Sequence, residues 1–406
     1  MCTRTSTYSF CFSRSIGSRF NFGPKRTCEC ALLKSKFSKI ERRALSFLFL
    51  PFGIGAMATA TRFPEIRDQL GINNGTFGTF LSLGAVGSVV AFILVGHWVH
   101  NFGVKPIVMF GATGLFGGLG LVPHLHNPTY WLVVNILIAF SWTSFHIANN
   151  AQAIHRQDEV GELILPRLHG LWSLGALLTS LLAIVITPYV TLAWHIDVIV
   201  FVMWVLTMYG IVKSTPYFID KNEEADAFSG LSIKGIAKTF KFQPIVVVAM
   251  VLAMQTEFST QDWSAIYAKD TLRMSPSLSI YGYAVFIGAM IIFRFNARWL
   301  ASKWSESELI AKLPVFGGLG FAIFISLGTW IGSTNRVLGF ITSLIGFALA
   351  GFGSSILAPT LFGIAFRKSS LPSSVVVAQI GLSQTIATFL VKVAIAWVAQ
   401  ATSVTI

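Results

Sequence analysis

Charge is what this 406-residue chain has least of: Asp, Glu, Lys and Arg make up 12% of it, against about 25% in an ordinary soluble domain. With hydrophobic residues at 54% and a mean hydropathy of +0.68, that scarcity excludes a water-soluble globule and describes a membrane protein. Cysteine is also scarce. All four, Cys2, Cys11, Cys28 and Cys30, lie in the first 30 residues. No disulfide framework therefore staples the hydrophobic body, and the irregular spacing argues against a metal site. No HExxH, Gly-x-Ser-x-Gly or Walker A pattern occurs, which leaves an intramembrane enzyme or an ATP-driven pump without support. The chain is not expected to be an enzyme or to carry a cofactor or metal.

What is present is a succession of apolar runs, each long enough to cross about 30 Å of hydrocarbon as a helix. Eleven are predicted, near 44–62, 76–95, 104–122, 130–150, 168–188, 191–212, 244–263, 278–297, 312–331, 337–360 and 374–400. The formal charge of +13 is not a nucleic-acid signature, because its distribution follows the membrane. With the N-terminus inside, 24 of the 30 Lys and Arg fall on the cytoplasmic side and 6 on the other. That bias places the chain in the cell (inner) membrane with a cytoplasmic N-terminus. Residues 1–43 hold ten basic residues, two acids and many Ser and Thr, and are expected to be a disordered basic tail. An organellar transit peptide is the alternative, and a start site placed too far upstream is a third reading. The linker 213–243 divides the rest into an N-terminal bundle, 44–212, and a C-terminal one, 244–406. Within it Lys234, Lys238 and Lys241 fall among Ile233, Ile236 and Phe240, as in a surface-lying amphipathic helix or a plain solvated linker.

The halves resemble each other. "IRDQLGINNGTFGTFLSLGAVG" from Ile66 aligns with "AKDTLRMSPSLSIYGYAVFIGA" from Ala268, so that Asp68 meets Asp270 and Leu70 meets Leu272, an offset of 202 residues. "AFSWTSFHIANNAQAIHR" and "AGFGSSILAPTLFGIAFR" pair likewise at an offset of 211. A weak repeat of half the chain, joined by a polar linker, is the form expected of a secondary transporter.

Polar groups inside the apolar runs are the functional candidates. Glu257, Gln261 and Ser264 share one helical stripe, where Glu257 either faces a central cavity as a substrate or proton site or anchors packing. Asp262 and Trp263 are read as marking the membrane interface. His146, Asn149 and Asn150 bring hydrogen-bonding groups into the fourth run, for a solute or for a neighbouring helix. Gln379 and Gln384 lie about a turn apart in the last run, and Lys392 beyond them is expected to snorkel outward. Trp142 and Trp172 either stack on a sugar or pack. Gly111, Gly114 and Gly118 permit close helix approach.

The ordered motifs resemble the major facilitator superfamily, and within it a bacterial branch of permeases related to fucose permease. "RFPEIRD" (Arg62–Asp68) is similar to that branch after the first span. Asn150, Gln152, Pro166, Arg167, His169, Ser173 and Gly175 match it after the fourth, and Glu257, Asp262, Trp263 and Ser264 match it in the seventh. The resemblance covers 44 to about 400. It implies an all-α polytopic protein of two pseudo-symmetric helix bundles, with 12 spans where 11 are visible, and a truncated or frame-shifted end is the expected reason. Gly96, Gly103 and Lys105 fit the cytoplasmic loop motif, and Arg294 fits its counterpart after the eighth span. His100 and Arg298 stand where similar sequences carry Asp. Gly96, His100, Gly103, Lys105, Arg167, His169 and Arg294 are therefore gating candidates by resemblance. The expected function is secondary active transport of a small sugar-like or drug-like solute by a monomer in the bilayer, with protons as the coupling ion. The alternative is a non-transporting sensor or assembly partner that keeps the fold.

Overall fold

A computed structural model describes residues 39–160, 165–218, 244–357, 360–361 and 373–402. Of the tail expected over 1–43, residues 1–38 lie outside these residues, as do most of the linker and much of the second repeat's C-terminal copy, while 39–43 are not disordered but form the start of the first helix. Among the described residues the chain is helical and holds no strand. This is what lipid demands, because a helix satisfies its backbone polar groups internally.

The helices are α1 (Lys39–Ala58), α2 (Phe63–Leu70), α3 (Asn74–Phe102), α4 (Val104–Leu121), α5 (Pro128–Val160), α6 (Leu165–Ile186) and α7 (Leu192–Ser214) in the first half. The second half has α8 (Pro244–Asp270), α9 (Pro276–Ser279), α10 (Tyr281–Phe295), α11 (Ala297–Lys303), α12 (Glu306–Gly332), α13 (Arg336–Ser354) and α14 (Ser373–Ala401). Among the described residues ten segments are long and apolar enough to cross a membrane, α1 with α2 counting as one. The seventh predicted run, 244–263, is α8, a helix of 27 residues that stands apart from those ten, its second half carrying Glu257, Asp262, Lys269 and Asp270. Short polar caps begin the helices: Asn73 for α3, Thr191 for α7, Asn335 for α13, and a reciprocal Ser305–Glu308 capping box for α12.

In the first half α1 packs on α6 and α7, and α5 on α3 and α4; in the second, α13 packs on α12 and α10. Contacts between the halves run from α14 to α3, α10 to α6 and α8 to α2. Small residues set the closest approaches. A Cβ on Gly111 of α4 would lie 2.7 Å from the backbone N of Phe145, and one on Gly339 of α13 would lie 2.5 Å from the carbonyl O of Gly328. The expectation of close helix approach at Gly111, Gly114 and Gly118 holds, all three facing α5.

The repeat reaches the backbone itself. Gly71, which ends α2, has φ +64°, and its counterpart 202 residues on, Arg273, has φ +54°, the one non-glycine residue with positive φ among the described residues. Two residues later Asn73 and Ser275 each cap the next helix with their side chains. Leu70 and Leu272, two residues before the N-caps' predecessors, are both buried. The same turn is thus built twice, once from a glycine and once without one.

Candidate functional site

Three helices of the first half assemble an aromatic and histidine cluster. Phe52 of α1 packs edge-on against Trp142 and Phe145 of α5, with ring centroids 4.8 and 4.9 Å apart. Trp142 meets Trp172 of α6, and His146 of α5 meets His169 of α6 at 5.9 Å. Asn150, one turn beyond His146, places its amide nitrogen 3.0 Å from the His146 Nε2. The Trp172 Nε1 and the side-chain carbonyl oxygens of Asn149 and Asn150 are buried with no hydrogen-bond partner. Such groups cost free energy until something pairs with them.

One turn along α6 from His169, Ser173 carries the site into the second half. Arg294 of α10 directs Nη1 toward the Ser173 hydroxyl at 3.4 Å and donates Nε–H to the Ser355 carbonyl at 2.8 Å. Its Nη2 lies 3.6 Å from the Glu257 carboxylate of α8, farther than a hydrogen bond. Glu257 is 15% exposed. Arg294, read from sequence as part of a cytoplasmic motif, is also the charge partner of Glu257. The polar stripe on α8 turns toward α10 at both ends: Glu257 toward Arg294, and the buried Ser264 against Gly282.

The other expected residues divide. Gln384 of α14 donates to the Met254 sulfur at 2.7 Å, about one turn from Glu257 on α8, while Gln261 is half-buried. Asp262 does not mark an open interface: it is 4% exposed and bound by Lys392 at 2.6 Å, so Lys392 turns inward rather than snorkelling. Trp263 packs on Gly78 of α3. Gly103 breaks the chain between α3 and α4 with φ +80°, and Lys105 follows half-buried. Arg167 is exposed while His169 is in the ring cluster, so the two do not act as a pair. The side chains of Gln379, Gly96, His100 and Arg298 lie outside the described residues. Sequence reasoning missed Phe52, the bridging role of Ser173, the Ser355 carbonyl, and Tyr283, whose hydroxyl reaches the Met57 sulfur across the halves at 3.5 Å. A backbone carbonyl and an apolar ring leave no mark in composition.

The profile of the Major Facilitator Superfamily matches residues 44–391. The chain belongs to that superfamily. This facilitator is 24% identical to an uncharacterized MFS-type transporter of Yersinia pestis over 339 residues, 82% of each chain. It is 23% identical to an uncharacterized transporter of Sinorhizobium fredii over 345 residues, 84% of this chain and 86% of that one. Among solved structures it resembles the nucleoside transporter NupG, with TM-score 0.67 and 11% identity over 90% of this chain and 92% of that one. It also resembles a D-xylose–proton symporter, with TM-score 0.62 and 14% identity over 87% and 88%. At such identities the likeness is one of fold. The facilitator is a multi-pass membrane protein of transporter type, not an enzyme.

Proposed function

We propose that this facilitator is a proton-driven secondary transporter of a small polyhydroxylated solute, working by alternating access between bundles 44–212 and 244–406 across the linker 213–243. The observation that carries the reading is the loose Glu257–Arg294 pair: a mostly buried carboxylate 3.6 Å from a guanidinium that also contacts Ser173 in the opposite half. Neutralising Glu257 weakens its hold on Arg294 and so alters a charged contact between α10 and α6. Proton binding is thereby coupled to how the halves meet.

The aromatic walls and the unpartnered Trp172 Nε1 and Asn150 Oδ1 suit a solute with an apolar face and several hydroxyls. Two proteins of the same fold, a nucleoside transporter and a D-xylose–proton symporter, carry solutes of the class proposed, and the second is coupled to protons as proposed here.

The purified protein is melted against sugars, polyols, nucleosides and drugs. A ligand at a hundredfold excess over its Kd adds about 2.7 kcal/mol and raises the melting temperature. The solute so found accumulates in proteoliposomes only under a pH gradient. Glu257→Gln abolishes that accumulation yet retains solute exchange at equal pH. Binding without flux under any gradient would favour a sensor, and accumulation by Glu257→Gln equal to the parent would remove the coupling role.

A further inference from the structure

Two copies of one turn related by a two-fold axis obey a simple rule. If residue i of the first touches residue j of the second, the counterpart of i touches the counterpart of j. Counting 202 residues onward takes Arg67 to Lys269 and Asp68 to Asp270. Arg67 grips Asp270 with both arms of its guanidinium, Nη1 to Oδ2 at 2.5 Å and Nη2 to Oδ1 at 3.2 Å. The rule then requires Lys269 to bind Asp68, and it does. Four charges from two equivalent turns form two crossed ion pairs, each joining one half of the molecule to the other. Arg67 is fixed in place by Asn74 at 2.6 Å and by Asp68 at 2.8 Å.

The neighbouring contacts between the halves gather at the same end. The Gly75 N–H donates to the Gln400 side-chain oxygen at 3.4 Å, and the Trp397 Nε1–H donates to the Thr79 hydroxyl at 3.0 Å. Ser277 of α9 donates to the Ile184 carbonyl of α6. Deeper in, the Met57–Tyr283 contact is buried on both sides.

We propose that Arg67, Asp68, Lys269 and Asp270 form a symmetric charge clasp that holds this end of the transporter closed and is broken and remade in each cycle. The role in a cycle rests on the alternating-access reading above. Partly exposed ion pairs are weak and salt-screened, which suits a contact that must bias one state without locking it. Because equivalent residues make both bonds, the clasp opens about its own axis as a unit.

The test uses the full chain with its four cysteines replaced by Ser and a single cysteine introduced at Met57, which lies buried beneath the clasp. A membrane-impermeant maleimide is added to sealed vesicles, with Arg273→Cys as the marker that the clasp face is the one reached. Asp68→Lys or Lys269→Asp alone sets like charges against each other and speeds labelling about three- to tenfold. Asp68→Lys together with Lys269→Asp puts both positive charges on one half and both negative charges on the other. Both crossed pairs survive, and the rate returns to that of the parent. Single variants that label at the parental rate, or a double variant that stays fast, overturn the clasp. If a single variant fails to fold, the parent carries the test alone: added salt must speed labelling, and a salt-independent rate overturns the proposal. No substrate or flux is needed, so a failed transport assay and a failed clasp are told apart.

Discussion

At the scale of single residues, Asp262 is a charge that the surrounding helices almost enclose. It is 4% exposed, its carboxylate is held by the Lys392 ammonium at 2.6 Å, and the Phe258 ring lies 4.9 Å from that same ammonium. An ion pair of this kind owes its stability to both partners being present, since removing one leaves a buried charge uncompensated. Lys392→Met is therefore expected to cost about 3 kcal/mol, seen as a melting temperature lowered by several degrees in detergent. Adding Asp262→Leu recovers most of the loss. Equal melting of Lys392→Met and the parent would show that the carboxylate has another source of stability. Asp262 and Lys392 were each conspicuous in the sequence, but their partnership was not. They are 130 residues apart, and pairing across α8 and α14 depends on the rotation of two helices about their own axes.

At the scale of elements, the helix ends carry the duplicated design. The chain leaves α2 at Gly71 and turns away from α8 at Arg273, three residues past that helix's end, both in the left-handed region. A side chain there meets the following carbonyl, at a cost of roughly 1–2 kcal/mol, part of which glycine gives back as extra freedom in the unfolded chain. Gly71→Ala is expected to lower stability by about 1 kcal/mol, and Arg273→Gly to raise it by up to about 1 kcal/mol. Thermal melting of the two variants side by side checks the sign, and the same sign for both would mean the turns are not equivalent. The helices themselves were legible because apolar length alone specifies a span: α14, expected over 374–400, runs Ser373–Ala401. The repeat was legible at Asp68 and Asp270, whereas the turn geometry it encodes was hidden by the exchange of Gly71 for Arg273.

At the scale of the whole molecule, the excess of Lys and Arg in alternate loops is expected to orient the protein with its N-terminus inside. Exposed residues in two turns test it. A cysteine at Thr334, between α12 and α13, is expected to react with an impermeant maleimide in intact cells. One at Ser302, at the end of α11, reacts only after permeabilisation. The reverse pattern would put the N-terminus outside and the charge clasp on the cytoplasmic face. The clasp and the Arg294–Ser173 contact both join helices from opposite halves, so a transporter of this build has charged contacts where relative motion of the halves would make and break them.

The sequence by itself determined that the chain spans a membrane many times, where its helices lie, which way it is expected to face and that its halves repeat. Each of these follows from local quantities: apolar length, loop charge and the order of residues along the chain. Only the tertiary structure decided which polar groups meet. It set Arg294 beside Glu257, turned Lys392 inward to Asp262, and crossed Arg67 and Lys269 onto the acids of the opposite half. The physical reason is that an ionisable side chain in lipid must find a partner, while which partner it finds depends on how helices distant in sequence are placed side by side.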